Sequence, residues 1–257
     1  MCKILILQSH AAARRDSLIS SAWQYFAKTG ESDGYGAAWI SRRGQLGWAK
    51  SLAPTLADDL PAYVSGFAAN AHLDEPSDGG WLLIHGRRAT CGVSVENTHP
   101  MLADGSAALI HNGVVQSETV ENINTTCDSE LLLRAMDSRG TKGLEEIQGY
   151  FAFAMLRKQR DGWHAAVVRD DTARLRVGRT RRGSVWGTTD DALAIAGAVP
   201  LGDHRPMTAA LFSPDGACEV RPIRKAKPVP VAMSDFEERW AIASGRGARY
   251  SPTGGGK

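Results

Sequence analysis

A cysteine stands at position 2, directly after the initiator methionine and ahead of the apolar run ILIL. Removal of Met1 makes it the first residue, with a free α-amino group beside its thiol. An α-amine has a reference pKa near 7.7 to 8, so part of it is a neutral base at working pH. It lies within one residue of a thiol whose thiolate is the reactive form. Nucleophile and base then need no second side chain. Taken alone, a small residue after methionine is common, and cysteine packs as a small hydrophobe. Three further stretches are more polar than packing requires: HGRRATCG at 85–92, IHNG at 110–113 and TCDSE at 126–130. Asn112 offers a side-chain amide donor and Gly113 an unobstructed backbone N–H, a pair suited to a developing oxyanion. Asn-Gly between apolar runs is equally the favoured two-residue hairpin turn. Arg87 can grip a carboxylate with two parallel hydrogen bonds, or lie with Arg88 as a solvated strand end. Asp128 can receive an ammonium, or cap the helix that CDSELLLRAM predicts. An arginine and an aspartate together are what an α-amino acid zwitterion requires.

The elements that must position these groups follow from periodicity. KILILQS reads as a buried strand, and DSLISSAWQYFAKTG as a helix with Asp16 able to cap its start and Gly30 its end. GYGAAWIS and LGWAKS predict a hairpin, and GGWLLIHGRR and SAALIHNGVV two more strands. Thr55 to Asn70 predicts a helix if Pro61 sits in its first turns. CDSELLLRAMDSRG and TKGLEEIQG read as helical, and the chain is mostly extended from Tyr150 to Thr188. TDDALAIAGAV and SDFEERWAIASG predict two later helices. Strands in runs, with helices in pairs between them, predict an α+β fold with largely antiparallel sheets.

The 257 residues are 43% hydrophobic and 23% charged with a net charge of +2, an ordinary globular balance that makes no general case for nucleic acid. Four cysteines, Cys2, Cys91, Cys127 and Cys218, are too sparse for a disulfide scaffold and lack metal-type spacing, which predicts reduced thiols in a cytoplasmic protein. No segment has the length of a signal core or a membrane span. Residues 1–225 are expected to form one domain, and 226–257 an extension with a short helix and a glycine-rich tail.

In order along the chain, Cys2, SDGYGAAW, HGRRATCG, THPM, ALIHNGVV, TTCDSE, GYFAFAML, and LRVGR with WGTTDDAL resemble the glutaminase domain of the class II glutamine amidotransferases, a branch of the N-terminal nucleophile hydrolases. The resemblance implies a four-layer αββα sandwich of two mainly antiparallel sheets. It implies that Met1 is removed and that Cys2 attacks the side-chain amide of L-glutamine, with its own amino group as base. Asn112 and Gly113 would form the oxyanion hole, Arg87 would bind the substrate α-carboxylate, Asp128 its α-ammonium, and Thr90 would help shape the pocket. A γ-glutamyl thioester and ammonia would result. Nothing implies a metal or an organic cofactor.

The sequence also departs from the family pattern. Lys3 follows Cys2 where glycine is common, Glu31 and Ser32 replace an arginine ahead of the DG segment, Arg88 stands for an aromatic, and Cys91 for a histidine. Roughly 60 residues follow the last family-like helix, too few for a second domain of ordinary size. The expected protein is therefore a stand-alone glutaminase serving a separate ammonia-accepting synthase chain. An amidohydrolase for another γ-glutamyl amide and an inert binding or regulatory subunit stay open. The arginines of 174–182 read as a solvated hairpin, with a docking surface as the alternative. A nucleic-acid role for them lacks interleaved aromatics.

Overall fold

A computed structural model describes residues 2–9, 14–40, 44–52, 80–90, 92–116 and 127–223. The chain runs β1 (Lys3–Leu7), α1 (Arg15–Lys28), β2 (Gly34–Ile40), β3 (Leu46–Ser51), β4 (Leu82–Arg87), β5 (Met101–Ala103) and β6 (Ala107–Gln116). It continues α2 (Ser129–Arg139), a 3₁₀ turn (Gly140–Glu146), β7 (Gln148–Gln159), β8 (Gly162–Arg169), β9 (Arg176–Thr180), β10 (Gly183–Gly187), α3 (Asp190–Ile195), β11 (Val199–Asp203), β12 (Thr208–Phe212) and β13 (Cys218–Pro222). The strands form a seven-stranded sheet, β11-β9-β10-β1-β4-β2-β3, and a six-stranded sheet, β13-β12-β8-β7-β6-β5. Adjacent strands are antiparallel throughout.

The near-continuous apolar runs of the sequence follow from burial on both faces. In β1, Ile4 and Ile6 enter the layer between the sheets, whereas Leu5 and Leu7 turn outward to the helices. In β6, Ala108 and Ile110 face the first sheet while Leu109 faces α2. Helices α1 and α3 cover the outer face of the seven-stranded sheet, and α2 covers the six-stranded one. Leu18, Ile19, Ala22, Trp23 and Phe26 form the apolar stripe of α1 at helical spacing. The result is the αββα sandwich expected.

Helix α1 lies close on its sheet because β4 carries a glycine beneath it: a Cβ on Gly86 would meet the Phe26 ring at 2.7 Å. The end of α1 matches the reading, since Gly30 takes a positive φ of 93° after Thr29. Its start does not: the N-cap is Arg14, and Asp16 sits inside the first turn, bonded to Arg15 Nε at 2.8 Å. TKGLEEIQG contributes a tighter 3₁₀ turn. The arginine-rich stretch includes the predicted hairpin, β9 and β10, with Arg176 paired to Asp190 and Asp203.

Strands β5, β11, β12 and β13 are not expected from the sequence. Strand β11 contains Pro200, which its edge position tolerates, and a register shift at Pro200/Gly202. Strand β13 is exposed along its length and shows no apolar alternation. The helices expected at Thr55 to Asn70 and in SDFEERWAIASG, and the extension 226–257, lie outside the described residues.

Phe26→Ala removes the buried ring that packs over Gly86 of β4. It is expected to cost about 3–5 kcal/mol, measured as a lower urea midpoint at unchanged slope.

Candidate active site

Strands β1 and β4 run side by side with Lys3 opposite Gly86, which brings Cys2 to the turn after Arg87. There the Cys2 Sγ accepts the Arg88 N–H at 3.4 Å and points its own hydrogen to the Arg88 carbonyl at 3.3 Å. The thiol is half-buried, and desolvation pushes its pKa up to about 11. The Arg88 backbone, the chain's amino terminus and Arg87 pull it back down, while Asp128 pushes it further up. Arg87 and Asp128 therefore both lie within electrostatic reach of the sulfur.

Arg87 is buried, not a solvated strand end, and its Nη2 donates to the Gly92 carbonyl at 3.0 Å. Arg88 is exposed. The DG segment holds this turn from the other side: the Asp33 N–H donates to the Arg87 carbonyl at 3.1 Å, and Asp33 Oδ2 accepts the Ala89 N–H at 2.8 Å. Thr90, beyond it, is exposed.

The HNG segment is not a hairpin turn. It lies within β6, with Asn112 opposite Ala152 and Gly113 opposite Phe151 of β7. The flanking partner β7 continues the ladder past both residues, so no chain reversal occurs. Asn112 takes the inter-sheet face of Ala108 and Ile110, is fully buried, and neither Nδ2 nor Oδ1 has a hydrogen-bond partner. A buried amide left in that condition is rare and calls for an explanation. Gly113 has φ +151°, and a Cβ there would lie 2.1 Å from the Tyr150 carbonyl oxygen and 2.7 Å from His111 Nε2. No other residue fits.

Asp128 occupies the N-cap position of α2 but makes no side-chain cap bond. Its Oδ2 instead accepts the Val115 N–H at 2.9 Å, which ties the carboxylate to β6 two residues past Gly113. Tyr150 also adjoins the site: its phenol is pushed up by burial, with charge on Cys2 and Asp128 adding to the effect.

Three buried histidines, His85, His99 and His111, were given no role by sequence reasoning. The His85 and His99 rings lie 4.0 Å apart, and those of His99 and His111 6.3 Å apart. His111 Nδ1 meets Ser129 Oγ at 2.9 Å. Lys50 Nζ donates to the Thr98 carbonyl at 3.1 Å and so holds the loop that carries His99. Burial lowers all three pKa values, that of His85 to about 3, so the rings are neutral. A polar residue inside an apolar strand, as in WLLIHGR and ALIHNG, was the available signal. Among the described residues, no group of His, Cys, Asp and Glu side chains is arranged to hold a metal ion, and no helix is long and apolar enough to cross a membrane. A cavity of about 510 Å³ opens elsewhere, beside Met136, Met155, His164 and Cys218.

A family model described as a glutamine amidotransferase domain matches residues 74–179. This stretch of the chain is similar to glutamine amidotransferase domains. Arg87, Thr90, Asn112, Gly113 and Asp128 fall inside the match and Cys2 precedes it. Among solved structures, the glutamine phosphoribosylpyrophosphate amidotransferase of B. subtilis superposes with a TM-score of 0.64 at 16% identity, over 88% of this chain and 50% of that one. An allosteric regulatory enzyme of purine biosynthesis gives 0.66 at 15% identity, again over 88% and 50%. At these identities the likeness speaks for the fold, and this chain spans about half the length of both proteins. No curated protein sequence matches it.

Lys3 and Glu31, two residues that the sequence singled out, meet in space. Lys3 Nζ lies 3.3 Å from Glu31 Oε1, with the side chains 18% and 3% exposed. Thr29 Oγ1 donates to the other carboxylate oxygen. The pair ties the residue after Cys2 to the segment that, through Asp33, holds the Arg87–Ala89 turn.

Lys3→Met strands a buried carboxylate and is expected to destabilise the domain by about 3–5 kcal/mol, whereas Lys3→Met with Glu31→Gln recovers most of that loss, as a double-mutant cycle of urea unfolding will read. The histidines generate a second expectation. Below the ordinary histidine value near 6.5 the unfolded chain takes up protons that the folded chain refuses, so stability falls with pH, by up to about 1.4 kcal/mol per unit for each ring. For His85 the decline runs down to about 3. His99→Leu is expected to shallow the slope of unfolding free energy against pH in that window.

Proposed function

We propose that this domain hydrolyses the side-chain amide of L-glutamine, with Cys2 as nucleophile once Met1 is removed, and releases ammonia to an acceptor or synthase on a separate chain. The observation that carries the reading is the position of the Cys2 thiol within electrostatic reach of both Arg87 and Asp128. An amino acid held by its carboxylate on the arginine and its ammonium on the aspartate presents its side chain to the sulfur between them. Burial raises the pKa of the Cys2 thiol, so attack requires a base to take its proton. The α-amine of processed Cys2 is that base, directly or through a water.

In the first step the Cys2 S–H proton passes to the amine, sulfur bonds to the amide carbon, and the carbonyl π pair moves onto oxygen. Asn112 Nδ2 and the Gly113 N–H receive that oxyanion, which gives the unpartnered buried amide of Asn112 its partner. The oxyanion collapses, the C–N bond breaks, and the nitrogen takes the proton from the amine to leave as ammonia. The γ-glutamyl thioester is then cleaved by water, whose proton goes to the amine and onward to the sulfur, freeing glutamate. Thr90, exposed at the turn after Arg87, lines the entrance.

The test is intact-protein mass spectrometry of the purified chain, before and after exposure to 6-diazo-5-oxo-L-norleucine. Loss of Met1 and a single adduct, absent in Cys2→Ala, is expected. Retained Met1, or a processed chain that stays unlabelled with its fold intact, points instead to an inert regulatory subunit. Ammonia release from another γ-glutamyl amide, but not from glutamine, points to an amidohydrolase of different substrate.

A further inference from the structure

The nucleophile and the oxyanion donors belong to different sheets. Cys2 and Arg87 extend from β1 and β4 of the seven-stranded sheet, whereas Asn112 and Gly113 belong to β6 of the other. Apolar contact between the sheets is non-directional and sets neither the register nor the tilt of one polar group against another. Among the described residues, a hydrogen bond crosses the gap at this level. His85 Nε2 lies 3.0 Å from the backbone carbonyl of His111, and both residues are buried.

A carbonyl only accepts, so His85 Nε2 carries the hydrogen. Burial keeps the ring neutral, which leaves Nδ1 bare, and that nitrogen has no hydrogen-bond partner. Along β4, His85 stands two residues before Arg87, and across the ladder it pairs with Ile4, two residues after Cys2. The accepting carbonyl belongs to the peptide group whose N–H is that of Asn112. His85 therefore joins the strand pair carrying the sulfur to the peptide that orients the amide. The far side of β6 is pinned to α2, through Ser129 Oγ on the His111 ring and Asp128 Oδ2 on the Val115 N–H.

We propose that His85 is a positioning residue, a strut between the sheets that fixes the separation and orientation of the Asn112–Gly113 oxyanion donors relative to the Cys2 sulfur. The proposal rests on the hydrolase reading above. His99, whose ring packs on His85 but has no hydrogen-bond partner, fills space beside the strut without being part of it.

The test is steady-state hydrolysis of L-glutamine by the Met1-processed chain. A misplacement of about 1 Å costs on the order of a hundredfold, so His85→Leu is expected to lower kcat about 10- to 100-fold with KM changed less than about threefold. His85→Gln, whose amide N–H reaches the position of the imidazole Nε2–H, is expected to retain kcat within about fivefold. His85→Asn is polar but too short to cross, and is expected to follow the leucine variant. The Asn and Gln variants carry the comparison if His85→Leu does not fold. A kcat in His85→Leu or His85→Asn equal to wild type, a loss expressed in KM, or an equal loss in His85→Gln overturns the strut while the hydrolase reading stands. The wild-type chain is read first. If it neither hydrolyses glutamine nor takes up 6-diazo-5-oxo-L-norleucine at Cys2, the hydrolase reading falls and the catalytic role of His85 falls with it.

Discussion

The apolar layer between the two sheets sets the distances on which the site depends, because its chemical groups hang from opposite sides of that layer. Ile4, Ile6 and Leu83 from one sheet meet Ala108, Ile110, Ala152 and Ala154 from the other. The second sheet contributes mostly alanines next to the site, where the first contributes branched side chains, which lets β1 come within reach of β6. At the end of the layer the packing turns polar. Asn112 continues the face of Ala108 and Ile110, and His85 continues that of Leu83. The site is thus the last rung of the core, with hydrogen-bonding groups where hydrocarbon stood one rung earlier.

That position explains the electrostatics. Groups buried at the edge of an apolar layer avoid charge unless a partner supports it. The Cys2 thiol is pushed up, and the three histidines are pushed down, so at neutral pH all four are uncharged. Arg87 and Asp128 are kept there as well, each bonded to backbone, and under the proposed function they are the pair a zwitterionic substrate needs. A donor pair held rigid in such surroundings stabilises developing charge more than the same pair in water. Under the proposed function the unsatisfied Asn112 amide is the cost of that readiness, a place where function overrides local satisfaction.

The Lys3–Glu31 pair shows how the fold joins residues that look unrelated in the sequence. Each residue looked like an isolated substitution in the sequence, 28 positions apart. Antiparallel pairing of β1, β4 and β2 places them side by side. Charge at Lys3 therefore has a buried counter-charge, and the turn that receives the Cys2 sulfur is supported from below.

Much of the architecture was legible because burial on both faces writes long apolar runs, and a helix resting on a sheet writes an apolar stripe: β1, β4, β6 and α1 all announced themselves. The order of the motifs likewise brought Cys2, Arg87, Asn112, Gly113 and Asp128 forward. Edge strands β11 and β13 stayed hidden, since a strand paired on one side in contact with water has little hydrophobic pattern to show. Asn112–Gly113 was ambiguous for a different reason. A glycine with positive φ serves a tight turn and a close approach to a neighbouring carbonyl equally well, and only the presence of β7 alongside decides between them. The sequence by itself determined which side chains were present and which strands carried them. What each touches was decided by tertiary structure: Asp128 turned from capping its helix to bonding β6, and His85 and His111, 26 residues apart, met across two sheets. Hydrogen bonds are directional and act over about 3 Å, so their partners are chosen only after the packing of the sheets has fixed where each backbone lies.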